Sequence, residues 1–219
     1  MKKILLSFFA IASFCFTLTA QETDKYTRAM ETNVPVIDTL RNSAQLVALS
    51  ATFERIAEAE KTKWLPYYYA ALAQVNAAYF LGEGNMKADK TDPMADKAEA
   101  FISKADALSP NNSEVYVVKK MVASLRMMGD PMTRYMQYGP MAEEALATAI
   151  KLNPENPRIY LLQGQDKFYT PEQFGGSKTE AKALFQMADK KYTVFKPKSS
   201  IDPVWGKPTV DYFLAELNK

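Results

Sequence analysis

The sequence of 219 residues contains no histidine and a single cysteine, Cys15. Histidine and cysteine supply most zinc ligands, most catalytic nucleophiles and most proton relays. Cys15 lies in an apolar run near the start of the chain, so the rest of the sequence has no thiol and can form no disulfide. The sequence therefore predicts no enzyme, no metal site and no bound cofactor.

The first twenty residues have the pattern of a secretory signal peptide. Lys2 and Lys3 form a basic start, residues 4–18 are apolar, and Ala20 offers a small residue at the cleavage point. No later stretch approaches the roughly 20 apolar residues of a transmembrane helix. We therefore expect a signal peptide at residues 1–20, a single exported domain at residues 21–219, and a location in the periplasm of a Gram-negative bacterium or outside the cell.

Neither sign of charge is in excess. The full chain has 27 basic and 25 acidic side chains, and removal of Lys2 and Lys3 with the signal peptide makes the two equal. A balanced surface gives no general attraction to polyanions, so nucleic acid is not an expected partner.

Glycine is scarce, with eight residues, and no segment alternates between apolar and polar side chains as a half-buried strand would. Apolar residues instead recur at helical spacing, which predicts an all-α fold. Proline follows a capping residue at Asp92-Pro93, Gly139-Pro140 and Asn156-Pro157, and each pair predicts a helix start. Ser177 and Glu180 have the spacing of a capping box, which predicts another helix start after the Gly175-Gly176 turn rather than a phosphate site.

A repeated pattern of small and large residues lies within this helical sequence. Its members are Ala98, Ile102, Ala105 and Pro110; Ala142, Leu146, Ala149 and Pro154; and Ala181, Phe185 and Ala188. The helix before each set carries a tyrosine, and the residue four positions after that tyrosine is Ala73, Lys120 or Gly164. Small residues let two helices approach closely, and the large residue fills the groove between them.

This pattern resembles that of the tetratricopeptide-repeat (TPR) superfamily. The resemblance implies a right-handed α-solenoid of antiparallel helix hairpins, with degenerate repeats at about 66–110, 113–154 and 157–192. Longer loops are expected at 82–92, 129–139 and 170–176, a helical pair before the repeats, and a capping helix at 207–218 after them. Lys119 and Lys120 depart from the pattern, because apolar and small residues are expected there.

The chain also resembles exported TPR-like proteins of bacteria and, through PEQFGGSKTEA, the periplasmic T component of TRAP-type transporters. These likenesses imply a non-catalytic scaffold that binds a protein or peptide of the cell envelope through its concave face. The alternative they leave open is a periplasmic module that binds a small organic ligand.

In the TPR superfamily the first helix of each repeat lines the binding groove. The corresponding positions, with two asparagines at the bends, are Tyr67, Gln74, Asn112, Asn156, Arg158 and Gln165. Tyrosine, arginine and amide side chains make directional contacts with a ligand, and we treat these six as groove candidates. An ordinary solvated surface would have the same composition.

Methionine is concentrated in one segment, at Met121, Met127, Met128, Met132, Met136 and Met141. Such thioethers could fill a core, form an adaptable binding surface beside Tyr135 and Tyr138, or bind Cu(I). The sequence alone leaves these three alternatives open.

Overall fold

The structure is a computed structural model that describes residues 25–82 and 84–219. The predicted signal peptide at residues 1–20 lies outside the described residues. Helix α1 runs to residue 33 and is followed by a 3-10 turn at Val34–Asp38. The helices after it are α2 (Ser43–Glu60), α3 (Trp64–Tyr79), α4 (Ala88–Leu108), α5 (Ser113–Gly129), α6 (Pro131–Leu152), α7 (Pro157–Tyr169), α8 (Lys178–Val194) and α9 (Lys207–Glu216).

The regular elements of the described residues are all helices and include no strand, which confirms the all-α part of the prediction. Neighbouring helices pack in chain order from α2 to α6, and α7 packs with α8 and α8 with α9. The junction between α6 and α7 differs, because these two helices scarcely touch. In residues 25–82 and 84–219, no helix combines the length and apolar character that crossing a bilayer requires.

Helix α3 is the centre of the core. Its sequence, WLPYYYAALAQVNAAY, is apolar around nearly its whole circumference, and such a helix is stable only when other elements cover it. It packs against α2, α4 and α5. Tyr68 and Tyr69 on its second turn are fully buried, and the Tyr69 ring stacks on Phe53 of α2 at 5.1 Å between ring centroids.

The small residues of the repeated pattern lie where helices approach closely, as the sequence predicts. Ala98, Ala142 and Ala181 are all buried. Gly164 of α7 shows how tight the contact is, because a Cβ atom added there would lie 2.6 Å from the ring of Phe185 on α8. The α7–α8 pair is therefore set by a glycine on one helix and a fully buried phenylalanine on the other.

Two of the predicted helix starts are correct. Asn156 caps α7, where its side chain accepts from the N–H of Arg158, with Pro157 as the first helical residue. Ser177 caps α8 by accepting from the N–H of Glu180 at 3.2 Å. The capping box is only half formed, because the N–H of Ser177 donates to the carbonyl of Lys167 instead.

The other two predicted starts are wrong, since Pro93 lies inside α4 and Pro140 inside α6. The predicted loop at 129–139 is consequently helical from Pro131 onward. Each proline leaves the carbonyl four residues earlier without its helical donor. Those carbonyls belong to the exposed residues Asp89 and Met136, where water can solvate them. Asp92 does not cap a helix, because its carboxylate binds Arg134 of α6.

Candidate functional site

The first turns of α5 and α7 and the second turn of α3 meet around a buried ion pair. Arg158 of α7 is fully buried, and its Nε donates to the carboxylate of Glu114 on α5 at 2.7 Å while Nη2 donates to the other carboxylate oxygen. Asn156 also donates to Glu114, at 3.0 Å. The hydroxyl of Tyr68 donates to Glu114 at 3.3 Å. Burial and the charge of Glu114 together raise the pKa of Tyr68, so its phenol stays protonated.

Residues 195–206, here called the C-terminal connector, cover this ion pair. Trp205 donates its indole N–H to the Tyr68 hydroxyl at 2.7 Å, and the hydroxyl of Tyr69 donates to the carbonyl of Ile201 at 3.0 Å. The guanidinium of Arg158 lies 4.8 Å from the ring centroid of Phe195 and 5.6 Å from that of Trp205. Trp205 therefore pins the connector to the helical body.

The structure places the six groove candidates in different surroundings. Asn156 and Arg158 meet at Glu114, under the connector. Gln74 is buried between α2 and α3, where it donates to Ser50 at 3.1 Å. Tyr67 is buried, with the Lys104 ammonium 5.3 Å from its ring centroid. Asn112 caps α5 and Gln165 lies on α7, and both keep partial exposure.

This placement changes how the groove can be used, while a binding role for the six residues stays a prediction. Asn156 and Arg158 are engaged inside the protein, at the end of the helical array that the connector covers. The TPR repeat pattern could not show that Asn156 and Arg158 are covered, because the connector lies outside the repeats and contacts them only in the folded chain. Trp205 gave the one sequence signal, as a large aromatic residue in a Pro- and Ser-containing segment.

A second contact region joins α3, α5 and α7 farther along the same helices. Lys120 of α5 is buried, and its ammonium lies 2.6 Å from the carboxylate of Asp166 on α7. The hydroxyl of Tyr79, in the last turn of α3, lies 3.5 Å from the carbonyl of Met121. Burial, followed by the charge of Asp166, raises the pKa of Tyr79. The three helices therefore run side by side in the same direction.

Exposed apolar side chains are concentrated beyond this region, where α5 ends and α6 begins. Met132, Tyr135 and Met136 project from one face of α6, with 94%, 59% and 82% of their surfaces exposed. We call these three residues the Met-Tyr surface. Met128, in the last turn of α5, is also exposed. Isolated exposed apolar residues are common, but a cluster on one helical face indicates a binding site.

The helix that carries the Met-Tyr surface is held firmly from behind. Asp92 of α4 receives two hydrogen bonds from Arg134, at 2.6 and 2.8 Å. A Cβ atom added at Gly129 would lie 2.8 Å from the Thr91 hydroxyl, so the corner between α5 and α6 sits directly on α4. The exposed methionines therefore do not belong to a loose loop.

This location decides between two readings of the methionine cluster. Met121 is buried and fills the core, whereas Met132 and Met136 are exposed and cannot be core packing. Within residues 25–82 and 84–219 there is no group of three or more His, Cys, Asp or Glu side chains that could hold a metal ion. Binding of Cu(I) by the thioethers stays an open alternative beside an adaptable binding surface.

The whole chain can be compared with a solved structure. The HusA haemophore from Porphyromonas gingivalis shares 32% sequence identity with it, over 88% of this chain and 92% of that one, with a TM-score of 0.76. This chain belongs to the HusA family. No protein-family model and no curated protein matches the sequence. Membership of the HusA family thus rests on a match that covers nearly the full length of both chains.

Proposed function

We propose that this chain is an exported protein that binds haem or a closely related porphyrin and carries it without catalysis. The observation that carries the proposal is the 32% identity, over 88% of the chain, to a protein named as a haemophore. The predicted signal peptide supports export to the periplasm or beyond. The sequence left open a periplasmic module that binds a small organic ligand, and this proposal names the class of that ligand.

We place the porphyrin ring on the Met-Tyr surface. A porphyrin is a flat apolar ring, and the face of a tyrosine and adaptable, polarisable thioethers can pack against it. The side chains present also fit the iron, since methionine thioether and tyrosine phenolate are both known haem ligands. The rigid attachment of α6 to α4 through Arg134 and Asp92 would keep this surface in place before the ligand arrives.

The scaffold is proposed to be a TPR-like right-handed solenoid. The pairing of α3 with α4, α5 with α6 and α7 with α8, and the buried alanines between paired helices, support this arrangement. In such an array the Met-Tyr surface lies at the end opposite the C-terminal connector. The ligand would then reach it without displacing Trp205.

The test is titration of the purified mature chain with haemin, followed by absorbance in the Soret region. We expect saturable binding at one site. Replacing Met132, Tyr135 and Met136 together by alanine should weaken haemin binding by about tenfold or more, corresponding to at least ~1.4 kcal/mol. The shape of the absorption spectrum also separates ligation of the iron from stacking of the ring.

Met187→Ala is the matched control, because Met187 is 45% exposed on α8, away from the proposed site. Its haemin affinity should stay within about twofold of the unsubstituted chain, a change below ~0.5 kcal/mol. Failure of the unsubstituted chain to bind haemin would reject the function. Binding that survives the triple substitution unchanged would instead move the site elsewhere.

A protein or peptide partner is the second candidate function, and one observation favours it. Met132 is 94% exposed and Met136 is 82% exposed, and methionine-rich surfaces adapt to several partners. Capture of envelope proteins by the mature chain, lost with the triple alanine variant and kept with Met187→Ala, would support this role. Capture that is the same for both variants would exclude the Met-Tyr surface as its site.

A further inference from the structure

Lys120 is a buried cation at a position where the repeat pattern calls for a small residue. Its side chain is 6% exposed, whereas the equivalent positions hold Ala73 and Gly164. Lysine is among the residues least often buried, and burial of its charge lowers stability unless the charge is paired. A lysine here needs an explanation beyond helix packing, since alanine or glycine serves packing in the other two repeats.

Asp166 does not satisfy all the hydrogen-bond donors of the Lys120 ammonium group. Among the described residues, the one hydrogen bond of the Lys120 Nζ runs to Asp166 at 2.6 Å. An ammonium group carries three N–H donors, so two remain for a further acceptor. The Asp166 side chain is 51% exposed, which places the ion pair at the edge of the protein and open to exchange with solutes.

The ion pair also lies where the array is least tightly packed. Helices α6 and α7 scarcely touch, although α5 and α6 pack closely, as do α7 and α8. Lys120 and Asp166 bridge the α5–α6 hairpin and the α7–α8 hairpin at this junction. Tyr79 lies beside them, with its hydroxyl against the Met121 carbonyl and 37% of the residue's surface exposed.

We propose that Lys120 binds a carboxylate group of the ligand, in exchange for Asp166. This inference rests on the proposed function and assigns the carboxylate-binding residue of the same site. Lys120 is eight residues before Met128 on α5, a distance of about 12 Å along the helix axis. A flat carboxylate-bearing ligand whose ring lies over the Met128 end of α5 therefore directs an acidic side arm along α5 toward Lys120. Carboxylates on ammonium groups form strong, charge-assisted hydrogen bonds.

The experiment compares haemin with haemin dimethyl ester in the same detergent-containing buffer. The two carboxylates of haemin are free, and those of the ester are blocked. The unsubstituted chain should prefer haemin. Lys120→Met removes the charge but keeps an unbranched side chain, so it should weaken haemin binding about tenfold or more and leave binding of the ester within about twofold. Lys120→Arg keeps the charge and should retain most of the preference for haemin.

The direction in which Asp166→Asn changes the haemin affinity distinguishes competition with the ligand from a purely structural role. If Asp166 competes with the ligand for Lys120, its neutralisation should raise the haemin affinity several-fold while the affinity for the ester stays constant. A purely structural ion pair predicts a different result, because loss of either Lys120 or Asp166 would weaken the binding of haemin and of the ester equally. Lys120→Met leaves only the half-exposed Asp166 without its partner, so this variant should fold even if Asp166→Asn, which leaves the buried charge of Lys120 uncompensated, does not.

The outcomes separate this inference from the function on which it rests. Haemin binding that is equal in the unsubstituted chain and in Lys120→Met would overturn the role of Lys120 and leave the haem-binding proposal standing. Equal weakening of haemin binding and ester binding in both Lys120→Met and Asp166→Asn would also overturn the role of Lys120. Absence of binding of either probe to the unsubstituted chain would overturn both proposals.

Discussion

The guanidinium of Arg158 lies fully buried against the carboxylate of Glu114, and this pair joins the first turn of α7 to the first turn of α5. Tyr68, Asn156 and Trp205 surround the pair and complete its hydrogen bonds. A buried charge pair of this kind gives little net stability over apolar residues of the same shape. Loss of one partner, however, leaves the other charge buried without compensation.

Glu114→Gln should therefore destabilise the protein strongly. We expect a loss of about 3–5 kcal/mol in the free energy of unfolding, because Arg158 would stay buried beside a neutral amide. Urea denaturation followed by circular dichroism measures the change. Glu155→Gln is the control, since the exposed pair of Glu155 with Lys191 should contribute less than ~1 kcal/mol. Equal effects of the two substitutions would contradict the interpretation of the Arg158 pair.

Gly164→Ala should destabilise the protein although alanine favours helix. The added methyl would lie 2.6 Å from the ring of Phe185, which is fully buried and has no room to move. Overpacking of this kind costs about 1–3 kcal/mol and outweighs the ~1 kcal/mol that alanine gains over glycine in a helix. The change is measured as a lower free energy of unfolding in urea.

Gly139→Ala is the matched control for that substitution, because Gly139 is also buried within a helix. Its nearest neighbour is the ring of Tyr135 at 3.4 Å, and Tyr135 is exposed and free to shift. Because Gly139 precedes Pro140, contact of the new Cβ with the proline ring offsets the ~1 kcal/mol that alanine gains in a helix, and this variant should stay within about 1 kcal/mol of the unsubstituted chain. If Gly164→Ala is as stable as the unsubstituted chain, glycine at position 164 is not required for the close approach of α7 and α8.

The attachment of α6 to α4 should weaken in acid. Hydrogen bonds from Arg134 hold the pKa of Asp92 below its usual range, so Asp92 binds a proton less readily in the folded state than in the unfolded state. The stabilisation is therefore complete above the unfolded pKa of about 3.9 and is lost as the pH falls through the lower folded value. Both side chains are partly exposed, so the contribution should be no more than ~1 kcal/mol.

Asp92→Asn tests this pH dependence. The variant should be less stable than the unsubstituted chain at pH 7, and the difference in free energy of unfolding should shrink steadily as the pH is lowered below 3.9. Glu143→Gln, which neutralises an exposed acid on α6, should change the stability by less than ~0.5 kcal/mol at either pH. A difference for Asp92→Asn that does not vary with pH would show that its charge is not responsible.

Helix ends show where sequence reasoning reached its limit. Asn156-Pro157 was readable because capping and the fixed geometry of proline act within a few residues. The same rule was wrong at Pro93 and Pro140, because exposed helix interiors tolerate a missing N–H donor when water solvates the orphaned carbonyl. The Asp92-Pro93 pair predicts a cap, whereas the actual partner of Asp92 is Arg134, 42 residues away in the sequence.

The candidate site shows the same division. The Met-Tyr surface and the exceptional Lys120 are visible in the sequence as a local excess of methionine and as a departure from a repeat. Their different environments are not, because whether a methionine packs or projects depends on which helix passes over it. Met121 is buried and Met136 is exposed although both belong to one cluster.

The sequence by itself determined the helical class, the small residues at the close contacts and the capping asparagine and serine, because periodicity, side-chain size and capping act over a few neighbouring residues. Only the tertiary structure decided that the C-terminal connector covers Arg158, that Lys120 pairs with Asp166 and that the start of α6 projects its methionines into solvent. Each of these depends on segments far apart in the chain, and their contact follows from the packing of the whole helical array rather than from any local pattern.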